Sequence, residues 1–301
     1  MNRIFCCFAT GMFTLAVASL VVAADAEKYA LRYKFHPGET LRWEVEHRSK
    51  VRTTISGTTQ NADTVSNSVK AWRVTDVRPD GSATFEHSVE SVDMRQQLSG
   101  RGEVRYNSRT DAKPPVGFED VAKSIGVPLS VVTMDPKGKI LERKRREAGK
   151  RANVDVKAQA QNEGCMTIPL PDEAVPVGHA WTSPQDIDVP LQTGGVKKIK
   201  AVQRFTLEEV RTGVATIRVA TEIITPVADP AIESQLVQRE SAGRVRFDID
   251  AGRIIGQQMD IDKHVVGFRG DASSIHYLNR FSEQIMRDGL NTAERAGKSA
   301  R

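Results

Sequence analysis

Acid–base or metal chemistry in this chain would fall first to its histidines: His36, His47, His87, His179, His264 and His276. No two stand at the spacing of a helical metal pair, and there is no His-Glu-x-x-His. A serine hydrolase would need a Gly-x-Ser-x-Gly elbow, which is missing, and Gly194-Gly195 is too isolated for a phosphate loop. Cys165 follows Gly164 with no charge or helix cue to lower its pKa, so a small buried apolar side chain beside Met166 and Ile168 fits it better than a nucleophile. Asp248, Asp250, Asp260 and Asp262 alternate as calcium ligands on neighbouring strands would. Arg244, Arg246, Arg253 and Lys263 are interleaved with them, however, and cross-strand ion pairs account for that pattern. No catalytic residue, metal or cofactor is assigned, and the reading leans away from an enzyme. The remaining candidates are Trp43, Trp72 and Trp181, which could line an apolar ligand pocket in a curved sheet or simply fill its core.

The elements that must position these residues are strands. From Val69 to Val92, apolar and polar residues alternate on both sides of Arg78-Pro79-Asp80-Gly81, the pattern of two half-buried strands around a tight turn. Tyr29, Leu31, Tyr33 and Phe35 alternate up to His36-Pro37-Gly38, and Leu41, Trp43 and Val45 continue beyond it, reading as a hairpin. Ser49 to Ser68 fits an exposed strand pair or a loop equally well, and residues 95–117 read mainly as loop with one strand at Val104 and Tyr106. Phe118, Val121, Ala122 and Ile125 have helical spacing, closed by Gly126 and Pro128.

The plan then recurs. Gly178 and Trp181 stand for Gly38 and Trp43, and residues 199–224 stand for the first hairpin. A helix capped by Asp229-Pro230 stands for 118–125, and Asp250-Ala251-Gly252 for Asp135 to Gly138. A last strand or helix covers Ile275 to Ile285. The fixed order predicts a mainly β protein of duplicated curved antiparallel sheets, each with one short covering helix.

The expected organisation is a signal peptide over 1–26, a first β-rich repeat over 27–141, a charged connector over 142–163, a second repeat over 164–286 and a disordered tail over 287–301. Arg3 followed by an apolar run and small residues at Ala24 and Ala26 predicts export, with cleavage after either alanine. No later stretch is apolar enough to span a bilayer as a helix. Cys6 and Cys7 leave with the signal, so Cys165 has no partner for an intramolecular disulfide. The formal charge is +5, much of it at Arg143, Lys144, Arg145 and Arg146. Such a run can meet nucleic acid, anionic lipid or an acidic envelope polymer. It lacks interleaved aromatics and is flanked by Glu142 and Glu147, which argues against nucleic acid and favours a solvated connector, with an acidic envelope polymer as the partner if it has one.

Tyr29 to Glu39, Glu103 to Arg109 and Asp248 to Ile254 together resemble an uncharacterised family of exported bacterial proteins with an internal duplication, and the plan is distantly similar to the periplasmic lipoprotein-carrier fold. The resemblance implies export and transfers no catalytic residue. The resulting expectation is a non-enzymatic exported binding or carrier protein for a lipid or other apolar or amphipathic ligand; the alternative is a structural or interaction protein of the cell envelope.

Overall fold

In the computed structural model, residues 27–146 and 167–286 are described. The signal segment, most of the connector with Cys165, and the tail lie outside them. The first half runs β1 (Lys28–Tyr29), β2 (Thr40–Ile55), β3 (Thr58–Val77), β4 (Ala83–Leu98), β5 (Val104–Asn107), α1 (Glu119–Ser124), β6 (Pro128–Met134) and β7 (Ile140–Arg145). The second half runs β8 (Val175–Pro176), β9 (Ala180–Pro190), β10 (Val196–Arg211), β11 (Val214–Ile223), α2 (Pro230–Leu236), β12 (Ala242–Asp248), β13 (Arg253–Val266) and β14 (Ser274–Ile285).

Each half is an antiparallel meander, and the two form one sheet. Its order is β7-β6-β4-β3-β2-β14-β13-β12-β11-β10-β9, with β5 extending the β4 edge and the seam made where β14 pairs with β2 from Ser274↔Thr54 to Ile285↔Trp43. The sheet does not close. Its free edges resist further pairing: β7 carries Arg143, Lys144 and Arg145, and β9 carries Pro184, Asp186, Asp188 and Pro190. The basic run therefore begins on a sheet edge, not in a connector. Ser49 to Ser68 is strand on both sides of a tight turn, where Ser56 (φ 49) and Gly57 (φ 80) both take the left-handed backbone of a two-residue hairpin. Residues 95–98 continue β4 instead of starting a loop.

The segment 30–35 corrects the sequence reading. It is extended but is not the first arm of a hairpin with β2. Its amides bond to turns in the two halves of the sheet, Tyr33 N–H to the Pro136 carbonyl between β6 and β7 (2.7 Å) and Lys34 N–H to that of Gly252 between β12 and β13 (2.9 Å). Its alternation reflects insertion into the core: Leu31, Tyr33 and Phe35 are buried among residues of β2, β3, β4, β6 and β10 to β13. An aromatic chain crosses the interior, Phe85 to Phe35 (6.1 Å between centroids), Phe35 to Tyr33 (6.2 Å) and Tyr33 to Phe247 (5.3 Å). In a flat sheet β4 and β12, five strands apart in the order, would lie roughly 24 Å from each other. The sheet is curled around this segment.

Ile168, Leu170 and Val175 enter the same core from the second half, with Ile168 N–H donating to the Tyr33 hydroxyl (2.9 Å). The duplication is explicit in the turns that follow the two segments. Gly38 N–H donates to Val74 O (3.1 Å) as Gly178 N–H does to Leu207 O (2.7 Å), and Val74 N–H returns to Glu39 O (2.9 Å) as Leu207 N–H does to His179 O (3.0 Å). This register pairs Leu41 with Trp72 and Trp181 with Phe205, so Trp181 is the counterpart of Leu41, not of Trp43. The helices take equivalent tasks on the inner face. Phe118 and the α1 side chains Val121 and Ala122 pack with Val92 and Tyr106, and α2, capped by Asp229 Oδ1 on Ala231 N–H (2.9 Å), packs Ile232 and Leu236 on Ile187, Val189 and Ile199.

Two glycines separate backbone strain from close packing. Gly38 (φ +79) has open space where a Cβ would stand, whereas a Cβ on Gly138 (φ +85) would meet the Ile168 carbonyl at 2.3 Å and the Tyr33 ring at 2.7 Å. Gly38→Ala is expected to cost about 1–2 kcal/mol for the left-handed backbone alone. Gly138→Ala adds the displacement of the inserted segments, and urea unfolding should show at least about twice that loss.

Candidate functional site

The three tryptophans do not share a pocket. Trp43 and Trp72 are buried neighbours with centroids 4.8 Å apart, Trp72 stacks on Phe85 at 4.4 Å, and Trp43 Nε1–H donates to the Ile254 carbonyl (3.1 Å). Trp181 lies on the far edge strand, stacked on Phe205 at 5.6 Å with its Nε1–H on the Pro169 carbonyl (2.7 Å). All three belong to or pack against one filled core, and none lines the large cavity described below.

Beside Trp43 and Trp72 the inner face turns polar. The Lys70 ammonium sits 4.8 Å and 5.3 Å from their ring centroids and pairs with the Glu283 carboxylate, whose other oxygen accepts from Gln257 Nε2 (2.8 Å). Glu283 is 1% exposed, so the pair forms away from water and each charge depends on the other. Trp72, His87 and Ser130 lie directly opposite one another on β3, β4 and β6, buried, and Trp72 Nε1, His87 Nδ1 and Ser130 Oγ have no hydrogen-bond partner among the described residues. Burial, then the charges of Lys70 and Arg143, push the His87 pKa down to about 3. His87 is therefore neutral in the folded protein across the ordinary pH range.

A candidate site lies on the opposite face. Trp43 and Val45 turn inward, so Glu44 and Glu46 turn outward. Following the pairing from strand to strand, one outward row reads Ser91, Val69, Glu44, Gln284, Gly256, Arg246, Thr216 and Glu209. The next reads Asn107, Asp93, Asn67, Glu46, Ser282, Gln258 and Arg244. These two rows line a trough of about 940 Å³. The first row crosses β4, β3, β2, β14, β13, β12, β11 and β10, roughly 35 Å at about 4.8 Å per strand.

The trough has a local cause. Register shifts occur at Val69/Lys70, Arg246/Phe247 and Leu207/Glu209, each beside a member of the first row. A bulge bends its strand and increases its twist, so bulges aligned across the sheet sink a furrow perpendicular to the strands. Ser91, Val69 and Gly256 are buried in the floor, and a Cβ on Gly256 would stand 2.7 Å from Gln284 Oε1. The lining combines carboxylates, guanidinium groups, amides and hydroxyls with the apolar Val45, Val69 and Val92, and holds no aromatic ring. Glu46 is held by Arg48 and Arg244 by Glu208. Glu44, Asp93, Arg109 and Arg246 are exposed and form no ion pair among the described residues.

The aspartates do not assemble a cation site. Asp260 is held by Arg280 (2.6 Å), Asp262 by His276 (2.8 Å), and Asp248 caps Ala251 N–H (2.8 Å). The expected pairing of these aspartates with the interleaved cations is not what forms: Arg253 pairs with buried Glu39 (3.1 Å), Lys263 with Glu240 (2.7 Å) and Arg244 with Glu208 (2.7 Å), because the fold brings those glutamates closer. No group of three or more metal-ligating side chains is assembled among the described residues, and no described helix is long and apolar enough to cross a membrane.

His87 gives a pH test. Its folded pKa lies below the unfolded value near 6.5, so its neutral burial favours folding above that value and loses ground as pH falls, when the unfolded chain takes up the proton first. Between pH 7 and pH 5 the wild type should lose about 2 kcal/mol from this group. His87→Leu should lack that component, as read by urea unfolding at both pH values. At Lys70–Glu283, Glu283→Ala is expected to cost about 3–5 kcal/mol by stranding the ammonium, and the double variant Lys70→Met/Glu283→Leu to recover most of it in the same assay.

No protein-family model matches the chain, and no curated protein matches it. Among solved structures it is similar to DynF from the dynemicin biosynthesis pathway of Micromonospora chersina, at 10% identity over 92% of each chain with a TM-score of 0.21. It is also similar to the translocator domain of the autotransporter NalP from Neisseria meningitidis, at 6% identity over 83% of this chain and 89% of that one with a TM-score of 0.25. Scores this low carry no inference about function.

Proposed function

We propose that this protein is a non-catalytic interaction protein of the cell envelope that takes an extended, hydrogen-bonding polymer into the outward trough. The observation that carries this reading is the continuity of the two residue rows across consecutive strands, the first from β4 to β10 and the second from β5 to β12. A compact ligand needs a few convergent groups, whereas a furrow this long, with amides and hydroxyls along its length, suits a chain that repeats its contacts. Exposed charges of both signs, Glu44, Asp93, Arg109 and Arg246, line the trough, so the polymer carries charges of both signs. Export, the expectation from residues 1–26, would bring such a protein to envelope glycans and peptides and so supports this reading.

The reading as a carrier of an apolar ligand finds less support. It needs apolar space under the sheet, but the curled core is occupied by Leu31, Tyr33, Phe35, Ile168 and Leu170, and the two helices pack directly on Val92, Tyr106, Ile187, Val189 and Ile199. The basic residues Lys144, Arg145 and Arg146 lie outside the trough walls and form a separate surface for an acidic polymer.

Charge reversal distinguishes these surfaces. Arg246→Glu and Glu44→Lys change exposed side chains and should leave the urea midpoint unchanged. On arrays of envelope glycans and extended peptides, each is expected to weaken the strongest interaction at least about tenfold, equivalent to about 1.4 kcal/mol. Binding that survives both reversals and disappears when Lys144, Arg145 and Arg146 are neutralised would move the site to the sheet edge.

A further inference from the structure

The two histidines that meet do so across strands, where linear spacing does not reveal them. His264 on β13 is directly opposite His276 on β14, and their ring centroids are 5.6 Å apart at an interplanar angle of 59°. Asp262, two residues before His264 and therefore on the same face, places Oδ1 2.8 Å from Nε2 of His276. All three side chains reach solvent: His264 is exposed, His276 is 39% exposed and Asp262 74%.

Two imidazoles that bind one metal ion through nitrogens about 2.0–2.1 Å from it hold their centroids roughly 5–6 Å apart. The pair already stands at that separation, on adjacent strands whose pairing fixes both backbones. Asp262 supplies the usual companion of a ligating histidine. By accepting a hydrogen bond from Nε2–H of His276 it fixes the tautomer and leaves the Nδ1 lone pair for a metal. We propose that His264 and His276 chelate one divalent first-row transition-metal ion, with Asp262 as the positioning carboxylate and water filling the remaining coordination positions.

The surrounding charges set the strength of the site. Arg52 lies opposite His276 on β2 and is exposed, and it opposes a dication, while the nearby carboxylate Asp260 is already engaged by Arg280. With two imidazole ligands and no thiolate, the preference should follow the general order, copper(II) above nickel and zinc.

The test is titration of the purified protein, carrying Cys165→Ser to remove the thiol, with copper(II) and with zinc by isothermal calorimetry. Copper EPR of the same samples reports the nitrogen ligands. One equivalent should bind, with hyperfine structure from two imidazole nitrogens. His264→Ala and His276→Ala should each weaken binding at least about tenfold and remove one nitrogen from the spectrum. Asp262→Asn should weaken it about tenfold while both nitrogens remain, and Arg52→Ala should tighten it. His36→Ala and His179→Ala should have no effect. Binding that survives either His264→Ala or His276→Ala with an unaltered spectrum, or no binding at about 1 mM metal, overturns the assignment. Unchanged urea midpoints for these exposed substitutions separate loss of the site from loss of the fold.

Discussion

An open antiparallel sheet this wide has one apolar face to remove from water, and two short helices cannot cover it. The insertion of residues 30–35 and 168–175 solves that problem, and the rest of the structure depends on it. Leu31, Tyr33 and Phe35 supply the surface against which the two ends of the sheet curl, giving side chains from β4 and β12 a common filling. The inserted segments cannot add to the sheet as strands, because their amides are spent on the turns at Pro136 and Gly252 and, for Leu170, on the Lys137 carbonyl. Buried Glu39 ties the end of the first segment to Arg253 at the start of β13, a link between halves that are distant in sequence. Such a pair contributes more to fixing where the segment sits than to net stability.

Filling the inner face leaves the outer one for recognition. The same curvature that closes the sheet around its core requires strands to bend, and they bend at bulges beside Val69, Arg246 and Glu209. The trough is thus a by-product of packing on the other side of the sheet. The link also runs through single residues, since Glu283 and Gln257, buried in the polar layer beside Trp43 and Trp72, contribute to the trough lining as well.

Much of the fold was legible in the sequence. Period-two alternation located most strands, Asp229-Pro230 marked the start of α2, and the repeated order of turn, hairpin and helix exposed the duplication. The alternation of Tyr29 to Phe35 misled because a segment threading a core between two layers shows the same period as a strand. Ser49 to Ser68 was ambiguous because its strands are polar on both faces, with nothing to separate them from loop except the Ser56-Gly57 turn.

The candidate site was almost illegible. Glu44, Gln284, Gly256 and Arg246 become neighbours only through the β14–β2 seam and the register of two further strand pairs, and long-range register leaves no local signal. The tryptophans drew attention by their type, yet Trp72 and Trp43 are core residues whose task is to hold Phe85, Phe35 and the Lys70 ammonium. His264 and His276 have no metal-pair spacing along the chain and meet only through the register of β13 with β14.

The central claim is that the interior is filled by the chain itself and that recognition takes place outside it. Native mass spectrometry of the protein purified from its own host, followed by extraction with organic solvent, tests this most directly. The account predicts the bare polypeptide mass and no apolar compound in the extract. A lipid-sized molecule retained in the native spectrum and released by solvent would contradict it, because its binding would require the inserted segments to leave the core.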